Sequence, residues 1–153
     1  MSATSSATEA NVRLWLRLLG CTTQIEKRVQ RGLAERFGST LPRFDVLAAL
    51  DRRGAGMTMG ELSRALLVSN GNVTGIVKTL ARDGFVALEP LPGDRRVSVV
   101  TLTPLGSAHF AELAAAHHGW IDDLLGPLPD PAREALQSHL DTLKITLSEG
   151  KSA

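Results

Sequence analysis

A short polar run, Ser69-Asn70-Gly71-Asn72-Val73-Thr74-Gly75, leads into the apolar positions Val73, Ile76, Val77 and Leu80, with Lys78 among them. Apolar residues at that spacing predict a helix with Ser69 as its N-cap. Such a helix turns Asn70, Gly71, Thr74, Gly75 and Lys78 away from the core and leaves Asn72 near its exposed N-terminal edge. These residue types suit the major groove of duplex DNA. Asn can bond bidentately to adenine, Thr offers a hydroxyl to a base or a methyl to thymine, and small residues permit close approach. Ser69 and the free N–H groups of the first turn suit a phosphate. Ser, Asn and Gly are equally common as caps and turn residues, so the run alone leaves a purely structural role open.

A second cluster, Asp94-Arg95-Arg96, follows the turn-forming Pro92-Gly93. Arg95 and Arg96 suit a narrow minor groove, where negative potential is concentrated. Asp94 is placed to pair with one of them and hold its direction. The alternative is a solvated turn whose ion pair contributes little. A basic tip directly after a candidate reading helix is less expected by chance than either feature alone.

The remaining pattern supplies the elements that would position these residues. Residues 1–9 are small and polar, and are expected to be disordered. Leu14, Leu18, Cys21, Ile25, Val29 and Leu33 step by three or four, which predicts a long helix ending at Gly38. Leu41-Pro42 opens a second helix that ends at Gly54. Thr58 and Glu61 have capping-box spacing ahead of a short third helix. After the fourth helix, residues 85–88 and 97–102 are strand-like and flank a long basic tip. Thr103-Pro104 restarts a helix as N-cap and N1. Gly126-Pro127 breaks it, and Asp130-Pro131 opens the last one. The fold predicted is mainly α with a small β-hairpin. It is a winged helix-turn-helix over 41–102, flanked by long helices over 10–37 and 103–149 and a tail at 150–153.

The flanking helices carry more apolar surface than the lobe needs, so they require a further burial partner. With 153 residues the chain can bury a real core. One Cys excludes an intrachain disulfide scaffold. No apolar run is long enough to span a bilayer, and the first ten residues lack the charge and apolar core of a signal peptide. A cytoplasmic protein with no membrane partner is the expectation. The formal charge of +1 conceals a division: +3 over residues 1–40, +2 over 41–102 and −4 over 103–153. Phosphate binding depends on local charge, so the acidic tail does not count against a basic front. Charge alone also fits a solvated surface with no partner.

Three blocks, LPRFDVLAAL (41–50), MTMGELSRALLVSNGNVTGIVKTLARDGFV (57–86) and GDRRVSVVTLTPLG (93–106), resemble the MarR family of bacterial transcriptional regulators. The resemblance runs from Leu14 to about Leu147. It implies a homodimer formed by the first and last two helices, operator binding on double-stranded DNA, typically as a repressor, and release by a small phenolic or aromatic effector, with no cofactor. Carried over by position, the DNA contacts are Ser69, Asn70, Asn72, Thr74 and Lys78 on the recognition helix and Arg95 and Arg96 on the wing. Gly75 departs from the pattern, because the family often has a basic residue there. The family's effector pocket would draw on Trp15, Phe44 and His109, with Arg17 as a counter-charge, although all four also suit plain packing or solvation.

Cys21 occupies the helix that carries a reactive Cys in the peroxide-sensing branch of the family. That branch uses tyrosines, and this chain has none. Cys21 also fits as a small apolar residue on the stripe, and Arg17 and Arg28 would favour a thiolate only if they point at it. His109, His117 and His118 share one helix, and only His118 and Asp122 have i,i+4 spacing, so no metal site is assigned. Other readings are a thiol-redox regulator, a non-specific DNA-coating protein, a winged-helix interaction module and a small enzyme. The acidic tail and Asn-rich helix disfavour the coating protein, and an interaction module has no need of two wing arginines. No nucleophile–base pair, carboxylate pair or phosphate loop supports catalysis.

Overall fold

A computed structural model describes residues 2–67 and 72–150, the side chains of 2–5 excepted. The elements are α1 (Ser2–Phe37), α2 (Leu41–Arg53), β1 (Met57–Thr58), α3 (Met59–Ala65), α4 (Val73–Arg82), β2 (Val86–Leu91), β3 (Asp94–Leu102), α5 (Pro104–Leu125) and α6 (Asp130–Glu149). They form two compact units, 1–120 and 121–153.

The polar leader, expected to be disordered, is instead helical from Ser2. Ala3, Ala7, Glu9 and Ala10 favour helix, and extending an existing helix avoids the cost of nucleating one. The C-terminal half of α1 packs into the first unit through Val29 and Leu33. Gly32 lies against the Trp120 ring, where a side chain would collide, and the Arg28 guanidinium sits 5.7 Å from that ring's centroid. The backbone N–H of Leu41 donates to Gln30 Oε1 at 3.0 Å, tying the start of α2 to α1.

Local signals set the lobe's boundaries. Thr40 caps α2, and Gly54 ends it in the left-handed region at φ 67°. Thr58 and Glu61 form the reciprocal capping box of α3. The Thr103 hydroxyl accepts from Gly106 N–H at 2.9 Å and donates to the Gly84 carbonyl at 2.6 Å, fixing α5 to the loop before β2. Gly106 is buried against the Phe85 carbonyl, and any side chain there would strike it.

The sheet is antiparallel in the order β1-β3-β2. The two-residue strand β1 has no sequence signal of its own. It exists because Met57 and Thr58 pair with Val100 and Val99. The expected long tip is also corrected. Leu91 pairs with Asp94, so the turn is only Pro92-Gly93, with Gly93 at φ 89°. The register then jumps, with Pro90 opposite Ser98, and leaves Arg95, Arg96 and Val97 on an irregular stretch of β3. Pro90, which has no N–H, lies on the edge strand β2.

Val46, Leu47, Leu50, Leu62, Val77, Leu80, Val86, Val100 and Leu113 close the core of the first unit. Among the described residues the second unit buries none. Arg133 organises its turn, pairing with Asp130 at 2.6 Å and donating to the Leu128 carbonyl at 2.9 Å. No residue of α6 is buried.

Candidate nucleic-acid interface

The amphipathic helix α4 buries Val73, Val77 and Leu80, as the spacing predicts, and leaves Thr74 and Lys78 exposed. The structure corrects its start. Asn72, not Ser69, is the N-cap, and its Oδ1 accepts from Gly75 N–H at 3.0 Å. Ser69 and Asn70 lie outside the described residues. With Oδ1 already accepting at the cap, Asn72 keeps one acceptor lone pair and its amide NH2 for any base contact. Gly75 permits the arrangement, because a Cβ there would run into the Asn72 amide. The residue that departs from the family pattern therefore makes room for the cap.

The wing comes close to this helix. Thr74, Lys78 and Arg96 line one open groove of about 420 Å³, together with Thr58, Gly60 and Leu88. Arg96 is pre-aimed, since Asp94 Oδ1 accepts from both its backbone N–H at 3.1 Å and its Nε at 3.3 Å. The Arg96 side chain is still 92% exposed, so the pairing holds direction without covering the cation. Arg95 is exposed as well. The groove joins a hydroxyl, an ammonium and a guanidinium on one face, which suits a polyanion with hydrogen-bonding edges.

The other candidates separate. Phe44 and His109 belong to two ring groups, which between them take in all four phenylalanines of the chain. His109 stacks on Phe85 at 4.1 Å and meets Phe37 edge-on, while His117 stacks on Phe44 at 4.7 Å beside Phe110. Trp15 and Arg17 are exposed in the N-terminal half of α1, about 30 Å along its axis from Phe37. One protomer thus does not assemble the four expected pocket residues. Cys21 is exposed rather than packed as core, and Arg28 is engaged with Trp120. Among the described residues no three His, Cys, Asp or Glu side chains are grouped to hold a metal ion. No helix of the described residues is long and apolar enough to cross a membrane.

Burial, with a smaller contribution from neighbouring His118, lowers the pKa of His117 below its ordinary value of 6.5. The unfolded imidazole therefore takes up its proton first as pH falls. This contribution to stability is complete above pH 6.5 and is lost on acidification below it. The melting temperature is expected to fall between pH 7.5 and 5.5, and His117→Phe, which keeps a ring on Phe44, should flatten the profile. Identical pH profiles for the two proteins would contradict this assignment.

Sequence reasoning missed Asp45, which is buried on α2 and bonded to Leu67 N–H. Its one signal was an acidic residue inside the apolar run Phe44–Leu47.

The fold defines a winged helix-turn-helix protein. The chain belongs to the MarR family of transcriptional regulators. The family model matches residues 37–97. The transcriptional activatory protein BadR of Rhodopseudomonas palustris is 39% identical over 74% of this chain and 67% of its own length. A crystal structure of a MarR family regulator from Silicibacter pomeroyi superposes with a TM-score of 0.81 at 30% identity, covering 92% of this chain and 97% of that one. Bordetella bronchiseptica BpsR, whose DNA binding is regulated by 6-hydroxynicotinic acid, shares the fold with a TM-score of 0.72 at 24% identity, covering 83% of this chain and 89% of its own. This is a family of transcription regulators, not of enzymes.

Proposed function

We propose that the protein is a homodimeric, effector-responsive regulator that reads a palindromic operator. The observation that carries the reading is the shared groove of Thr74, Lys78 and Arg96. The recognition helix would enter the major groove and the arginine wing the adjoining minor groove. Ser69, Asn70 and Arg95 complete the proposed contact set, with Asn72 acting first as the cap.

The dimer reading rests on the apolar surface left open in the chain. Val12, Leu14, Trp15, Leu16 and Leu19 on α1, and Leu136, Leu140 and Leu147 on α6, are all exposed. A second copy is the partner that covers such stripes in a two-fold assembly. Sequence reasoning expects repression, whereas BadR is an activatory protein. Operator position relative to the promoter would set the sign.

The effector reading draws on BpsR and 6-hydroxynicotinic acid. A small aromatic acid or phenol is the proposed class, with Phe44 and His109 as candidate contacts from one protomer and Trp15 and Arg17 as candidates at the dimer end of α1. A gel shift on DNA flanking its own gene, at fixed salt, tests both parts. Retardation is expected, together with its reversal by a member of a panel of aromatic acids and their CoA thioesters. Peroxide should not reverse it. No retardation would overturn the operator reading, and reversal by peroxide alone would replace the aromatic effector with Cys21 chemistry.

A further inference from the structure

Helix α2 is apolar where it packs, yet Asp45 is among its buried residues at 5% exposure. A carboxylate is expensive to bury unless donors meet it. One donor is the backbone N–H of Leu67, 2.8 Å from Oδ2 and 22 residues away along the chain. Leu67 directly follows Leu66, the C-cap of α3, whose N–H closes that helix on the Leu62 carbonyl. The Leu67 side chain is 80% exposed. No burial of that side chain seats the chain where it leaves α3, so a polar tether does.

We infer that Asp45 is a positioning residue for DNA recognition: its carboxylate holds the Leu67 peptide, and so fixes how the chain leaves α3 for the cap of α4. The inference rests on the DNA-reading function proposed above. The tether joins the first helix of the lobe to the turn of the helix-turn-helix. Its loss would leave Lys78 and Arg96 able to meet phosphates while Thr74 and its neighbours lose their register on the bases. Sequence discrimination should therefore suffer before general DNA affinity does.

The test uses the full-length protein with Asp45→Ala and Asp45→Asn. The probes are a duplex enriched by the wild-type protein from a randomised pool and its shuffled counterpart, at one salt concentration. Asp45→Ala should lose about tenfold in affinity for the enriched duplex and less than about twofold for the shuffled one. Asp45→Asn keeps an acceptor oxygen and should return to within about threefold of wild type. Hydrogen exchange at the Leu67 amide should be fast in Asp45→Ala and protected in Asp45→Asn.

Wild-type discrimination by Asp45→Ala overturns the inference. So does an equal loss on both duplexes that Asp45→Asn fails to rescue. Should Asp45→Ala not fold, Asp45→Glu decides: its longer carboxylate must displace Leu67, and it should lose at least about threefold in discrimination, while wild-type discrimination would overturn the inference. A wild-type protein that enriches no sequence defeats the operator reading itself, and the Leu67 exchange comparison then decides the tether separately.

Discussion

Arg96→Ala is expected to weaken binding to the enriched duplex by about tenfold or more at fixed salt. The guanidinium lies on the same groove as Thr74 and Lys78 and is almost fully exposed, so its removal takes away a contact and leaves no buried partner unpaired. The slope of log affinity against log salt should fall by about one phosphate contact if Arg96 meets the backbone. Asp94→Ala should have the smaller effect, because Asp94 only directs the arginine. The melting temperature should barely move in either variant, since an exposed ion pair contributes little to stability. That separation of binding from stability distinguishes the wing assignment from general damage. Unchanged affinity for Arg96→Ala, measured by anisotropy in matched salt, would remove the wing from the interface.

The largest loss is expected from the far end of the chain. Leu136, Leu140, Leu143 and Leu147 follow one another at helical spacing along α6, a helix with no buried residue. Leu140 is 41% and Leu147 62% exposed. Each leucine covered by a partner contributes roughly 1.5–3 kcal/mol of apolar transfer, so such a stripe can drive association. Leu140→Asp places a carboxylate in the centre of that face, where covering it would mean burying an unpaired charge. The variant should elute as a monomer at micromolar concentration and lose operator affinity by about a hundredfold or more, because one lobe must then bind without the second half-site. Light scattering and the gel shift together check this. A Leu140→Asp protein that stays dimeric would show that α6 is not the dimer face.

Much of the fold was legible because its boundaries are written locally. The Thr58–Glu61 capping box, the left-handed Gly54, and Thr103 ahead of Pro104 each fix a helix end through residues within four positions of one another. What sequence reasoning missed depends on distant partners. Strand β1 is two residues long and is defined by Val99 and Val100, some forty positions away. The shortened wing turn follows from the Leu91–Asp94 pairing and the register jump after it, which alternation of residue types does not encode. At α4 the cap is Asn72, three residues after the Ser69 that the spacing predicts, and a Cβ at position 75 would run into its amide. Asp45, an acidic residue within an apolar run, takes its meaning from a bond to Leu67, 22 residues on. The expected pocket separated for a simpler reason: Trp15 and Phe44 lie on different parts of a long helix and its neighbour, a distance that periodicity along one chain does not report.

Selection from a randomised duplex pool, followed by sequencing, tests the central claim most directly. A two-fold dimer reading DNA through Thr74, Lys78 and Arg96 should recover an inverted repeat whose half-site centres lie about one helical turn, roughly 34–36 Å, or a small multiple of it, apart. Recovery of no motif, or of a single asymmetric site bound by one chain, would contradict it.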